Sequence, residues 1–195
     1  MKFTKIPSDT FQKLQINAGI LTTDFTPATG TVGESGQIGA TSGGINFTAT
    51  PTFSDFGDGI DNCPKNMKEL KKLDSWEVKM SGTFVNADTA IAKKLIGAAD
   101  IDSSDQTKVT PRNDLEESDF GDIWLVGDYS DKNGTKNGGY IAIKLLNALS
   151  TGGFKLQTSD KAKGQFAFEF TGHYSMSAQD TVPFELYIKA GTAES

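Results

Sequence analysis

Apolar and polar residues alternate over long stretches of this chain. From Ser75 onward, Trp76, Val78, Met80, Gly82 and Phe84 fall on one side, with Glu77, Lys79, Ser81 and Thr83 on the other. A period of two is that of a strand with one buried face. In "GQFAFEFTGHYSM", Phe166, Phe168, Phe170 and Tyr174 alternate with Ala167, Glu169, Thr171 and His173. In "PFELYIKAG", Phe184, Leu186 and Ile188 alternate with Glu185, Tyr187 and Lys189. Further strands are expected in "LQINAGILTTDF", "IWLVGDY" (123–129) and "FKLQT". The stretch "YIAIKLLNAL" (140–149) reads as helix or strand. Strand is preferred, because the two Asn-Gly pairs of "SDKNGTKNGG" make a hairpin turn that needs a partner.

One segment breaks the pattern. From Asp88 to about Asp100 the apolar positions follow helical spacing, with Asp88 as the expected N-cap. Ile91, Leu95 and Ala98 form the stripe expected to pack on the sheet, while Lys93, Lys94 and Asp100 lie on the wet side. Such a helix is about 20 Å long, enough to cover one side of a sandwich.

Residues 28–74 read as a long loop or arm. "ATGTVGESGQIGATSGG" is rich in Gly, Ser and Thr, "INFTATPTF" is a short strand limited by Pro51, and Ser54–Asp74 is a charged loop with one helical turn at "PKNMKEL". A connection of that length inside a compact domain is usually functional or disordered. Residues 1–195 are read as one domain. The expected fold is mainly β: an antiparallel β-sandwich or barrel flanked by one α-helix, with a long extended loop.

Composition narrows the function classes. A net charge of −6 argues against a protein that grips nucleic acid by neutralising phosphates. No apolar run approaches the ~20 residues that span a bilayer, and the polar start "MKFTKIPSDTFQKLQ" argues against Sec-type secretion. With one cysteine, Cys63, and one histidine, His173, neither an intrachain disulfide nor a structural Cys/His zinc site can be built. His173 alternates with the Phe face of its strand and is expected to point toward solvent or an interface.

The short motifs carry little chemistry. "DFG" occurs at 55–57 and 119–121 without the other parts of a kinase, and "GTVGESGQIG" lacks the Lys-Ser/Thr pair of a P-loop. "DYSDKNG" (128–134) and "DIDSSD" (100–105) look slightly like calcium loops. In the first, Asp131, Asn133 and Gly134 fit the register, but Tyr129 and Tyr140 stand where carboxylates belong. Asp114, Glu116, Glu117, Asp119 and Asp122 could supply a hydrolytic carboxylate pair; a solvated or partner-facing surface is the better reading. Asn46-Phe-Thr and Asn133-Gly-Thr match glycosylation sequons, which carry meaning only in a secreted chain. No cofactor or metal is expected.

Four features, in order, resemble the major tail tube protein of long-tailed bacteriophages. They are "PKNMKELKKLDSWEVKMSGTFV", "ADTAIAKKLIGAAD", "DFGDIWLVGDYSD" and "FAFEFTGHYSMSAQDTVPFELYIKAG". The resemblance covers residues 10 to 191. It implies a non-enzymatic subunit that assembles into stacked hexameric rings around a lumen that conducts genomic DNA. Implied partners are further copies of the chain, tape measure and tail terminator proteins, and non-specifically passing DNA, with no membrane. The implied location is the virion tail, with the host cytoplasm as the place of assembly. In this reading the 28–74 segment reaches a neighbouring subunit or ring, which makes Gly30, Gly33, Gly36 and Ile38 interface candidates, and the exposed side of the helix around Lys93 and Lys94 lies near a subunit boundary. Glu77, Lys79, Glu169 and Thr171 are the polar-face candidates for the lumen. The alternative is a non-catalytic β-sandwich binding module of the carbohydrate-binding or adhesin-like kind.

Overall fold

The computed structural model describes residues 6–129 and 138–191. Residues 130–137, with the expected hairpin turn and the calcium-loop candidates Asp131, Asn133 and Gly134, lie outside the described residues. The first strands are β1 (Gln15–Thr22), β2 (Phe25–Thr26), β3 (Thr31–Val32), β4 (Thr41–Asp55) and β5 (Lys71–Phe84). The helix α1 (Thr89–Ile96) follows, then β6 (Ala99–Ile101), β7 (Val109–Pro111), β8 (Gly121–Tyr129) and β9 (Gly139–Ser150). The chain closes with β10 (Lys155–Gln157), β11 (Gln165–Thr171) and β12 (Phe184–Lys189). The fold is mainly β with antiparallel pairing throughout, as the alternation requires.

Eight strands form one sheet in the order β1-β8-β9-β11-β5-β4, with β10 on β11 and β12 on β9. The joint between its halves is β9. Most of β9 pairs with β8 and β12, while its last residues, Leu149 and Ser150, pair with Thr171 and Phe170 of β11. Asn147, in a left-handed conformation at φ 47°, sits just before that change of partner. Its side chain donates to the His173 carbonyl at 3.0 Å and its N–H donates to the Asp122 carboxylate at 3.1 Å.

The main core lies between the halves. Val78, Met80 and Phe84 of β5 are fully buried, as is Leu145 of β9, and Phe168 and Phe170 are nearly so. Phe84 stacks on Phe168 with ring centroids 4.4 Å apart. A second cluster on the other side of β8 and β9 gathers Phe25, Trp124 and Ala142 beneath the β2–β3 ribbon.

The helix is shorter than its sequence suggests. The Asp88 carboxylate accepts from the Ile91 N–H at 2.7 Å, which is the expected N-cap. Gly97, at φ 89°, ends the helix. Ala98 therefore lies past its end, and Ala99 and Asp100 enter β6, paired with β7. Ile91 and Leu95 are buried against the sheet as expected, whereas Ala98 is not part of the helical stripe. The Ser150 hydroxyl donates to the Leu95 carbonyl at 2.7 Å and ties the helix end to β9.

Three other expectations change. Residues 28–74 hold β3, the whole of β4 and the start of β5, and β4 runs straight through Pro51. On β12, Leu186 and Ile188 occupy the face toward the core yet are 52% and 55% exposed. Tyr174, expected on the buried face of its strand, is 40% exposed because β11 ends at Thr171; its hydroxyl accepts from the Trp76 N–H at 2.9 Å.

Candidate assembly surfaces

The register of β4, β5 and β11 collects the polar candidates on one face. Thr48 stands opposite Lys79, and Lys79 opposite Thr171; Asn46, Ser81 and Glu169 form the adjoining row. Glu77 pairs with Lys79 at 2.5 Å. That carboxylate, with Glu169 beyond it, raises the Lys79 ammonium above its ordinary value. Thr151 links the hydroxyl of Thr171 at 2.7 Å to the Glu169 carboxylate at 3.1 Å. The four residues thus form one laced surface rather than four separate positions.

The acidity lies elsewhere. Residues 100–122 hold eight of the 25 carboxylates and two of the 19 basic residues, so that segment alone accounts for the net charge of −6. Within it Arg112 reaches Asp119 at 2.6 Å, Asp100 at 2.8 Å and Glu116 at 3.3 Å. The Asp119 side chain is wholly buried. The Arg112 Nε–H is not aligned for a hydrogen bond to Asp100, so that contact is coulombic only. Glu116 and Asp119 also cap the turn Glu117–Asp119, and Asp122 pairs with Lys144 at 2.8 Å. Asp100, Glu116, Asp119 and Asp122 thus hold a connector in shape.

The loop glycines have reasons within their own chain. A Cβ on Gly33 would collide with the Asp24 carboxylate, and one on Gly36 would lie 2.6 Å from the Thr22 hydroxyl. Gly30 is left-handed, at φ 72°, against the Tyr140 ring. Ile38 belongs to the core and donates its N–H to Leu21, so it is not a surface contact residue. Lys93 reaches Asp100 at 3.9 Å. Lys94 is exposed on the helix, and crowding by the protein, followed by the neighbouring Lys93 charge, lowers its pKa. His173 is half-buried, edge-on to Phe120 and within 3.1 Å of the Asn147 carbonyl.

The alternation pattern passed over the arm. The β4–β5 hairpin continues past the last β5 residue paired with β11, Lys79, out to Asp55 opposite Lys71. Its inner face continues the core face: Phe47 pairs with Met80, Ala49 with Val78, Pro51 with Trp76 and Phe53 with Leu73. Beyond the body no described residue covers that face, and Phe53 and Leu73 are 51% and 44% exposed. Phe56, Ile60 and Met67 extend the exposed apolar surface over the tip. Asp55 organises the tip, accepting from the Gly57 and Asn66 N–H groups at 3.0 and 2.9 Å. Phe53 within "INFTATPTF" was the available signal, but a strand broken at Pro51 hides it.

Among the described residues no cluster of His, Cys, Asp and Glu suits a metal ion, and no helix is long and apolar enough to cross a membrane. No protein-family model matches the chain, and no curated protein matches it.

Proposed function

We propose that the chain is a structural subunit of a phage tail tube, assembling into stacked hexameric rings that form a conduit for DNA. The observation that carries this reading is the arm. A hairpin leaves the sandwich with its core-side face still apolar and uncovered, which is how a chain looks when part of its hydrophobic surface belongs to another copy. The laced polar face of β4, β5 and β11 supports a lumen lining, because it offers hydroxyls and closely paired charges rather than a row of unpaired cations that would hold phosphates. The connector at 100–122 concentrates the acidity and supports a repulsive outer or inter-ring surface. In this role the chain needs no catalytic group and no cofactor.

The test is negative-stain electron microscopy of the purified protein across a concentration series. Rings or tubes with a central lumen are expected. A strictly monomeric protein at the highest concentration sinks the proposal. One observation favours a second reading: exposed Phe53 and Phe56 could serve as aromatic platforms of a non-catalytic binding module. Micromolar binding on a glycan array, lost in Phe53→Ala, would move the assignment there.

A further inference from the structure

We infer that the apolar tip of the arm seats in the open mouth between β1 and β4 of a second copy. The inference rests on the assembly reading above and names the surface that receives the arm. The mouth is a cleft of about 420 Å³ lined by Ile45, Phe47, Leu125, Ile141 and Ile143, with Asn17 at its edge. It is held open by the backbone. β1 slips register between Ile16 and Ile20, with Asn17 and Gly19 left-handed, and β4 slips between Thr41 and Ile45, with Gly43 and Gly44 left-handed. Bulges on both facing strands keep the two edges from pairing and sealing the cleft.

The cleft continues into exposed apolar surface. Leu186 pairs with Ile143 and Ile188 with Ile141, so both β12 side chains extend the same face outward. This explains why two aliphatic residues of a core-facing row remain half exposed. The chain therefore carries an apolar projection and an apolar hollow, and among the described residues neither is covered.

One copy cannot join its own two parts. Phe47 lines the cleft, and the same strand then stays paired to β5, with one register slip between Thr52 and Phe53, as far as Asp55. At about 3.3 Å per residue, Phe53 stands roughly 20 Å farther along. Continuous pairing carries the tip away from its own mouth, so the arm that fills the mouth comes from another copy. The contact joins unlike surfaces, and repetition of such a heterologous contact closes a ring or extends a filament.

Area sets its strength. Phe53, Phe56, Ile60, Met67 and Leu73 are each between 39% and 61% exposed. With about 150–250 Å² for a whole aromatic side chain, they offer roughly 500 Å², or about 1,000 Å² counted over both partners. That lies at the low end for a specific interface. A single contact is weak and transient; copies held by contacts on both sides stay together.

Two full-length cysteine variants test the contact, both with Cys63→Ser to remove the native thiol. One carries Phe56→Cys on the arm and the other Ile188→Cys at the mouth. Under mild oxidation the mixture should yield a cross-linked pair that neither variant forms alone. As a second measure, Phe56→Lys and Ile188→Glu should each raise the concentration needed for assembly at least tenfold, and the double variant should recover most of that loss. Both sites are exposed, so unchanged circular dichroism is expected. Rings or tubes without the arm–mouth cross-link or the rescue overturn this inference and leave the tube reading standing. Arm-to-arm or mouth-to-mouth cross-links also overturn it. Absence of association at any concentration overturns both.

Discussion

The two ends of the β4–β5 hairpin carry the same apolar alternation and meet opposite fates. In the body, Val78, Met80 and Phe84 present one face and lose essentially all contact with water beneath β8, β9 and α1, with β11 alongside. In the arm, Phe53 and Leu73 occupy the same face and keep about half of their surface. Only the cover differs. β11 pairs with β5 no farther out than Lys79, the Gly172 N–H and the Tyr174 hydroxyl reach Val78 and Trp76 just beyond it, and past Trp76 no further strand among the described residues pairs with the hairpin. An apolar face specifies that something will lie on it without specifying that the cover belongs to the same chain. Buried side chains of this size are each worth about 1.5–3 kcal/mol relative to exposure, so five uncovered ones represent a sizeable unrealised association energy.

The largest expected effect breaks the comparison at its covered end. Phe84→Ala removes a ring that is wholly buried and stacked on Phe168. It should cost about 3–5 kcal/mol, or roughly 10 °C in Tm for a domain of this size. Phe53→Ala at the uncovered end should stay within about 0.5 kcal/mol of wild type while weakening self-association. Thermal unfolding and analytical ultracentrifugation of the two variants separate these outcomes. If Phe53→Ala destabilised the monomer as much as Phe84→Ala, the arm would be part of the protomer's core and the contrast would fall.

Helix α1 offers a smaller test of what holds the covered end. Asp88→Ala removes the carboxylate that accepts the Ile91 N–H and should cost about 1 kcal/mol. Asp88→Asn keeps a capping oxygen and should recover most of that. Urea midpoints of the three proteins measure the difference. Equal stability of all three would show that burial of Ile91 and Leu95 alone fixes the helix.

Much of the body was legible because its causes are local. The period of two in β5 and β11 named Val78, Met80, Phe84, Phe168 and Phe170, and each lies in the core. Asp88 named the helix start because capping depends on three residues of chain. Where the outcome depended on remote partners, the pattern failed. Gly97 ends α1 early, and Ala99–Ile101 instead pairs with Val109–Pro111, a partner that no helical periodicity can reveal. Pro51 suggested a strand boundary, yet β4 is an edge strand and tolerates a residue without an N–H. Leu186 and Ile188 obeyed the alternation and still stayed exposed, because the opposite half of the sheet stops short of them. Of the candidate surfaces, the register gathered Glu77, Lys79, Glu169 and Thr171 on one face, while Ile38 moved into the core.

The smallest effect concerns the uncovered end alone and sharpens the contrast by pH. The Asn66 N–H, followed by that of Gly57, holds the Asp55 carboxylate below its ordinary value of 3.8, with Lys71 and Lys65 adding to the shift. A carboxylate whose folded pKa is depressed contributes order that is complete above its unfolded value and is lost as pH falls through the folded one. The tip should therefore keep its structure at pH 5 and above and loosen below about pH 4. The group is exposed and the turn local, so the Tm of the body should not follow it through this window on account of Asp55. Hydrogen exchange of residues 56–67 in Asp55→Asn should match, at pH 7, the loosened tip of the wild type at low pH, because the amide oxygen is the weaker acceptor. Protection of the tip that stays the same from pH 7 to pH 3 in the wild type would show that the turn is held by its backbone bonds instead. The hairpin would then present Phe53 and Phe56 as firmly at low pH as at neutral pH.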